Sequence, residues 1–258
     1  MTTYERRQSL LDKLRIQPGL SVSELATVLD VSEGTVRNDL NALEVQGLLT
    51  RVHGGAVLSQ QVEFQSNSFV RRTQQNAEAK EAIAREAAAI VKNDTSIFLD
   101  ASSTSLYLAQ ALSKHLRLRV MTNGFESARL LAQNTSNTVF LIGGIVENDS
   151  SSVTGLLSER IIEELHIQYA FLSCSGFSLE RGMTEVHLAE AQLKRKVIES
   201  SKELFALIDS SKFGVEDLTS FARPERIQHL FTDQDVPSEW LNKLNQSAIE
   251  YTICKNES

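Results

Sequence analysis

The chain has 258 residues, 41% of them hydrophobic and 23% charged, and carries a formal net charge of -7. Those proportions fit a globular protein with one large core or two unequal ones, and the acidic balance argues against a uniformly basic nucleic-acid wrapper. No apolar run approaches the roughly 18 residues of a membrane span, and the two cysteines, Cys174 and Cys254, stand in no metal or redox spacing.

These features predict a cytoplasmic, reduced and soluble protein without a secretory leader. The five histidines, His53, His115, His166, His187 and His229, are scattered, so neither a metal site nor a cofactor is expected.

Three helical patterns open the chain. The first runs from about Tyr4 to Arg15, with Leu10, Leu11 and Leu14 on one face, and stops at Pro18-Gly19. Ser21 and Glu24 have capping-box spacing for a second helix, whose apolar side is Val22, Leu25, Ala26 and Leu29. Ser32 caps a third helix, which ends near Gly47. Its Val36, Leu40 and Leu43 face a core. Thr35, Arg37, Asn38 and Asn41 point elsewhere and are of the kinds that read base edges and grip phosphate. The strand-turn-strand pattern over residues 48–58, around Gly54-Gly55, predicts a wing carrying Arg51 and His53. Residues 1–60 hold six basic and seven acidic side chains, so a DNA-binding reading rests on motif geometry rather than bulk charge. A helical bundle with a hairpin and no DNA contact fits the same pattern.

The segments Val31–Leu40 (VSEGTVRNDL) and Leu43–Ala56 (LEVQGLLTRVHGGA) resemble the signature of the DeoR family of bacterial repressors. The resemblance implies a winged helix-turn-helix over residues 1–58, with Ser32, Thr35, Arg37, Asn38, Asn41, Arg51 and His53 at the operator. Asn38 stands where the family usually has a second arginine.

Residues 59–76 are polar and read as a linker, in which Arg71-Arg72 is taken as a solvated pair. From residue 77 helices alternate with short apolar runs at 96–99, 118–121, 138–142, 169–172, 204–208 and 229–231, and residues 247–253 read as a last strand. This alternation predicts an α/β domain over 77–258 with a mainly parallel sheet covered on both faces. Ligands of such sheets sit at the carboxyl ends of strands. Four of those ends carry polar residues or glycine: Asp100 to Ser105, Thr122-Asn123, Gly143-Gly144, and Asp209 to Lys212. Taken singly, each is better explained by a helix cap, a turn or a solvated lysine; their coincidence points to a pocket.

The stretches at 97–112, 120–131, 140–146, 170–185 and 207–214 are similar to the DeoR-family sensor domain, which resembles the fold of ribose-phosphate isomerases and CoA transferases. That likeness implies a phosphorylated sugar or related metabolite as effector, bound by Asp100, Ser102, Ser103, Thr104, Thr122, Asn123, Gly143, Gly144, Gly176 and Lys212, with Ser105 in the same hydroxyl loop. Ser103 stands where the family often has glycine.

The expected function is a sequence-specific repressor of a carbohydrate-metabolism operon, a homo-oligomer whose partners are operator DNA and the effector. Two other readings compete: an isomerase-like enzyme using Asp100, Glu185, Asp209 and Lys212, and a DNA-binding scaffold that has lost its ligand.

Overall fold

A computed structural model describes residues 2–17, 19–52, 55–58, 69–147 and 151–256. The chain divides into two compact units, residues 1–68 and 69–258. Residues 69–76, expected in the linker, go with the second unit, where 69–74 are helical; residues 59–68 lie outside the described residues.

In the first unit, α1 (Thr3–Ile16), α2 (Val22–Leu29) and α3 (Glu33–Val45) precede an antiparallel pair, β1 (Leu49–Val52) and β2 (Gly55–Leu58). Ser21 and Glu24 close their capping box, and Ser32 accepts from the Thr35 amide. At the end of α3, Gly47 has a positive φ of 72°. Leu48 N–H bonds the Leu43 carbonyl and Gly47 N–H the Glu44 carbonyl, the paired arrangement that a glycine at this position permits. Leu10, Leu14, Leu25, Val36, Leu40 and Leu43 form the core.

One charged group shares that buried side of α3. Asp39 is 2% exposed and accepts from Arg6 Nε at 2.6 Å and Arg7 Nε at 2.8 Å, tying α3 to α1. Burial pushes its carboxyl up, but the hydrogen bonds and charges of Arg6 and Arg7 outweigh that and hold it below its ordinary value.

The second unit is built on a seven-stranded sheet in the order β14-β13-β11-β8-β3-β4-β5, with every pairing parallel. Its strands are β3 (Ser96–Leu99), β4 (Arg119–Thr122), β5 (Thr138–Leu141), β8 (Ile167–Leu172), β11 (Ser201–Leu207), β13 (His229–Asp233) and β14 (Glu250–Cys254). Side chains alternate between its faces: Ile97 and Leu99 enter one apolar layer and Phe98 the other. The first layer also takes residues of α4 (Ala77–Ala89), α5 (Ser103–Ala111) and α6 (Phe125–Leu131). The opposite layer takes residues of α7 (Leu156–Glu163), α8 (Leu188–Glu199) and α9 (Ser238–Gln246). A hairpin of β6 (Ile145–Glu147) and β7 (Ser152–Thr154), and a small sheet of β9 (Gly176–Ser178), β10 (Gly182–Glu185) and β12 (Thr219–Ala222), complete the unit.

Strand order reverses between β3 and β8: the chain builds outward through β4 and β5, then returns to the other side of β3. Loops leaving the two strands at such a point part in opposite directions and open a crevice. Among the described residues no helix is long and apolar enough to cross a membrane.

Replacing Asp39 by Asn should destabilise the first unit by about 2–3 kcal/mol, since two guanidinium groups lose their shared acceptor. Because folding lowers the Asp39 pKa, its contribution is complete above the ordinary carboxylate value and fades as pH falls through the lower folded value. Urea titrations of the full chain followed by circular dichroism check both; equal midpoints for wild type and variant at neutral pH would refute the prediction.

Candidate functional site

At the reversal point lies a cavity of about 330 Å³. Its walls come from the start of α5 (Ser102, Ser103, Thr104), the segment after β8 (Ser173, Cys174, Ser175), the turn after β11 (Asp209, Ser211, Lys212), the stretch leading into α4 (Arg72, Gln75, Asn76) and Lys80 of α4 itself. Glu185, Glu190 and Lys194 also line it.

Three strand ends therefore converge here, two of them as expected from the sequence. The hydroxyl loop caps α5: Ser102 Oγ accepts from Ser105 N–H at 3.1 Å. Ser103 and Thr104 hold the first two helical positions, where N–H groups have no intrahelical acceptor. Asp209 caps the 3-10 turn Ser210–Lys212 and accepts from Asn76 Nδ2 at 3.1 Å. Lys212 makes no ion pair among the described residues and stands half-buried at the cavity wall.

Asp100 does not face the cavity as an open acceptor. It is 1% exposed and already accepts from Ser102 Oγ (2.6 Å), Ser105 Oγ (2.6 Å), Ser173 N–H (2.9 Å) and Lys194 Nζ (3.2 Å). Asp100 and Ser105 thus lie beneath the hydroxyl loop and fix its shape. Lys194, from α8, also donates to Glu185 Oε2 at 2.6 Å and to the Ser173 carbonyl at 3.0 Å. Burial alone would lower the Lys194 ammonium, yet Glu185 and Asp100 outweigh it and hold the ammonium above its usual range. Glu185 is likewise buried, which pushes its carboxyl up, but the Lys194 charge brings it below the ordinary value.

The other expected residues do not line this cavity. Thr122 Oγ1 accepts from Gly124 N–H at 3.1 Å, and Asn123 Nδ2 donates to the Val153 carbonyl at 3.2 Å, joining β4 to the hairpin. The Gly143 carbonyl accepts from Ser158 Oγ. A Cβ on Gly144 would collide with Ser158 Oγ and the Thr154 carbonyl, and one on Gly176 with the Val215 carbonyl. Close backbone approach therefore explains both glycines.

Sequence reading missed the cations of the cavity's outer wall. Arg72, taken as half of a solvated pair, lines the cavity, and its Nε is buried without a hydrogen-bond partner among the described residues. A helical turn too short to show periodicity places it there. Lys80 is 4% exposed and donates to the carbonyls of Arg72 and Gln75. Burial, opposed by Asp209 and assisted by Lys212 and Arg72, lowers its ammonium to about 8. The signal available was position: Lys80 falls on the apolar stripe of a clear helix, beside Ile83, Ala84 and Ala87.

In the first unit, Arg37, Asn38, Asn41 and Arg51 are exposed, while Val36, Leu40 and Leu43 are buried, so the two expected faces of α3 separate. Ser32 is exposed at the cap and Thr35 half-buried. Arg37 pairs with Glu33 at 2.6 Å, an exposed i,i+4 contact worth about 0.3–0.5 kcal/mol and readily exchanged for phosphate. Arg51 donates from Nη1 to Asn41 Oδ1 at 2.7 Å and from its amide to Glu44 Oε1 at 3.0 Å, anchoring the wing strand to α3. His53 lies outside the described residues.

A winged helix-turn-helix joined to a parallel sheet with a polar crevice at its reversal point defines a DNA-binding regulator with a ligand-sensing unit. Models of known families match both parts: the DeoR-like helix-turn-helix domain over residues 6–62 and the DeoR C terminal sensor domain over residues 75–234. The chain belongs to the DeoR family of transcriptional regulators.

Among its relatives is the HTH-type transcriptional regulator GolR of Listeria innocua, 40% identical, with 99% of this chain and 100% of that protein covered. An L-fucose operon activator of Haemophilus influenzae is 36% identical over 90% of this chain and 92% of that protein. The glycerol-3-phosphate regulon repressor of the same organism is 31% identical over 98% and 97%. A ribose 5-phosphate isomerase from Methanocaldococcus jannaschii superposes with a TM-score of 0.40 at 18% identity, covering 54% of this chain and 55% of that one, too distant a likeness to bear on activity.

Replacing Lys194 by Met should cost about 3–5 kcal/mol, because Asp100 and Glu185 lose the charge that compensates their burial. Urea unfolding followed by the fluorescence of Trp240, the single tryptophan, measures it; an unchanged midpoint would show that the triad carries no such weight. Folding raises the Lys194 pKa and lowers that of Glu185, so their contribution is complete between about pH 4.3 and pH 10.4 and declines outside that window.

Proposed function

We propose that the chain represses a carbohydrate-metabolism operon and that a phosphorylated sugar or related metabolite, bound in the cavity, controls it. One observation carries this reading: Arg72, Lys80, Lys212 and the amides of Ser103 and Thr104 meet around a single cavity, and the buried Arg72 Nε finds no acceptor among the described residues. A dianionic phosphate supplies acceptors to a guanidinium fork and to helix-start amides together. Serine hydroxyls and Glu190 suit the hydroxyls of a sugar. Relatives whose names carry a fucose operon and a glycerol-3-phosphate regulon agree with that chemistry.

On this reading residues 1–58 hold operator DNA through Ser32, Thr35, Arg37, Asn38, Asn41, Arg51 and His53, and the connection over 59–68 leads to a sensing and oligomerising domain. Ser102, Ser103, Thr104 and Lys212 contact the effector together with Arg72 and Lys80, while Asp100 and Ser105 support their loop. Thr122, Asn123, Gly143, Gly144 and Gly176 shape the neighbouring strand ends. The protein acts in the cytoplasm as a homo-oligomer, and effector binding releases DNA. Control has a covalent route, since the cavity wall at 69–76 directly follows the connection to the DNA-binding unit.

The second unit is a sensor rather than an enzyme. Its candidate carboxylates are engaged: Glu185 with Lys194, Asp100 with four donor residues, and Asp209 with Ser211 and Asn76. Burial and the Glu185 charge push the Cys174 thiol far up, away from thiolate. Turnover of a pentose phosphate by the purified protein would contradict this assignment.

Duplexes selected from a random pool by the wild-type protein supply the DNA for a mobility-shift titration. Arg37→Ala and Arg51→Ala should each weaken binding roughly 10- to 100-fold while circular dichroism stays unchanged; undiminished affinity in both would remove the docking surface. In a thermal-shift screen, at least one phosphorylated sugar should raise Tm where its unphosphorylated parent does not, and Lys212→Ala should abolish the shift. No response across the panel would favour a scaffold without a ligand.

Affinity for that sugar phosphate should also fall as pH rises through about 8, where Lys80 loses its proton. The bound anion favours the charged lysine, so binding takes up a proton above that pH. Calorimetry in buffers of different ionisation enthalpy reads this uptake directly. Its persistence in Lys80→Met would assign the titration to another group.

A further inference from the structure

The cavity has two sides of unlike charge. Arg72, Lys80 and the start of α5 belong to the side covered by α4 and α5, whose apolar side chains enter one layer. Tyr107 Oη of α5 donates to the Thr73 carbonyl at 3.1 Å and fixes the stretch that carries Arg72 on that side. Glu190 stands in the first turn of α8, which packs in the opposite layer. The strand tips, with Ser173 to Ser175 and Asp209 to Lys212, lie between the two layers. Neighbouring charges divide in the same way. Those that act on Lys80 are Asp209, Lys212 and Arg72, whereas those that act on Lys194 are Glu185, Asp100 and Glu190. Cys174, on the middle segment, feels Glu185 and Lys194 as well as Lys212 and Asp209.

Glu190 differs from the other carboxylates of the cavity. Glu185 is matched by Lys194, and Asp209 accepts from Ser211 and Asn76. Glu190 is half-buried and makes no ion pair among the described residues. Its Oε1 accepts from Ser152 Oγ at 2.9 Å, and its Oε2 accepts nothing from them. An acid in a first turn complements the helix dipole, but that benefit needs no place in a cavity wall. A carboxylate there works against a site that collects anions, unless the part of the ligand that meets it donates hydrogen bonds and carries no negative charge.

We infer that Glu190 selects the effector by the charge of the end distant from its phosphate, accepting hydroxyl donors there and rejecting a second anion. The inference rests on the sugar-phosphate reading above and narrows its class to monophosphates of uncharged sugars, as against bisphosphates and phosphorylated sugar acids. With the phosphate held by Arg72, Lys80 and the α5 amides, a tail that crosses the strand tips meets Glu190 on the far side. A hydroxyl donates to the open Oε2. A carboxylate or second phosphate offers only acceptors and repels it at short range, where partial burial weakens screening.

The test is calorimetric titration of the full chain with matched ligands at equal ionic strength. Glucose 6-phosphate is compared with 6-phosphogluconate, ribose 5-phosphate with ribose 1,5-bisphosphate, and fructose 1-phosphate and fructose 6-phosphate with fructose 1,6-bisphosphate. In every comparison that gives binding, the uncharged-tail member should bind at least about tenfold more tightly. Glu190→Gln removes the charge and keeps the shape and the acceptor for Ser152; it should bring the members within about threefold by admitting the second anion. Ser152→Ala removes the tie to the hairpin, leaves the charge, and should keep the wild-type preference. A merely structural Glu190 would make the two variants behave alike. Circular dichroism melts establish that both are folded. Equal or reversed affinities in the wild type, or a preference that survives in Glu190→Gln, overturn the inference and leave the sugar-phosphate reading standing. No heat and no Tm shift from any of these ligands or from the wider panel of sugar phosphates overturns that reading, and this inference with it.

Discussion

The sensing unit is organised around a single buried ammonium. Lys194 reaches from α8 to Asp100 beyond β3, Glu185 at the end of β10 and the Ser173 carbonyl beyond β8. One charge thus joins four segments at the point where strand order reverses. The apolar layers determine that a sheet forms and which helices cover it, but they do not prescribe a polar crevice at its edge. Buried ion clusters seldom add much net stability over an apolar replacement; their directional bonds penalise alternative arrangements instead. Here they fix the strand tips that border the cavity.

The same carboxylate explains why the loop after β3 is rich in hydroxyls. Ser102 and Ser105 donate to Asp100, while Ser102 also caps α5. The loop is therefore bound from below, and Ser103 and Thr104 present their amides above it. The proposed anion binding needs those amides unpaired, and the fold needs everything around them paired. Dividing the two duties between adjacent residues satisfies both conditions.

Much of this architecture was legible in the sequence because its signals are local and periodic. Ser21 with Glu24, Ser32, and Gly47 marked helix ends by cap chemistry, and each of the seven apolar runs became a strand of the main sheet. The small sheet was not legible: β9 and β10 are three and four residues long, contain glycine, and borrow their order from β12 some forty residues away. α9 was also missed, since its apolar contribution is mainly Leu244 with Trp240 and Leu241 packed at the margin. At the cavity, the residues that follow β3 and β11 were anticipated, but not those that follow β8. Arg72, Lys80 and Lys194 were not, because a lysine on a helix reads as solvated until the carboxylates or carbonyls it meets are known, and those partners are set by tertiary structure.

Net charge is a poor guide to this molecule for a related reason. The chain is acidic as a whole, yet each proposed binding surface carries a few cations whose immediate neighbours decide what they do. Arg6, Arg7 and Lys194 are held by buried carboxylates and serve the fold. Arg37 is held only by an exposed glutamate, a contact that water and salt compete away, and Lys212 has no ion-pair partner among the described residues. Screening confines the influence of distant acidic groups to about 8–10 Å at physiological ionic strength. An anion approaching either surface therefore responds mainly to these local cations and to the amides beside them. The distinction between a structural and a functional cation here is burial of its partner, which no count of lysines and arginines contains.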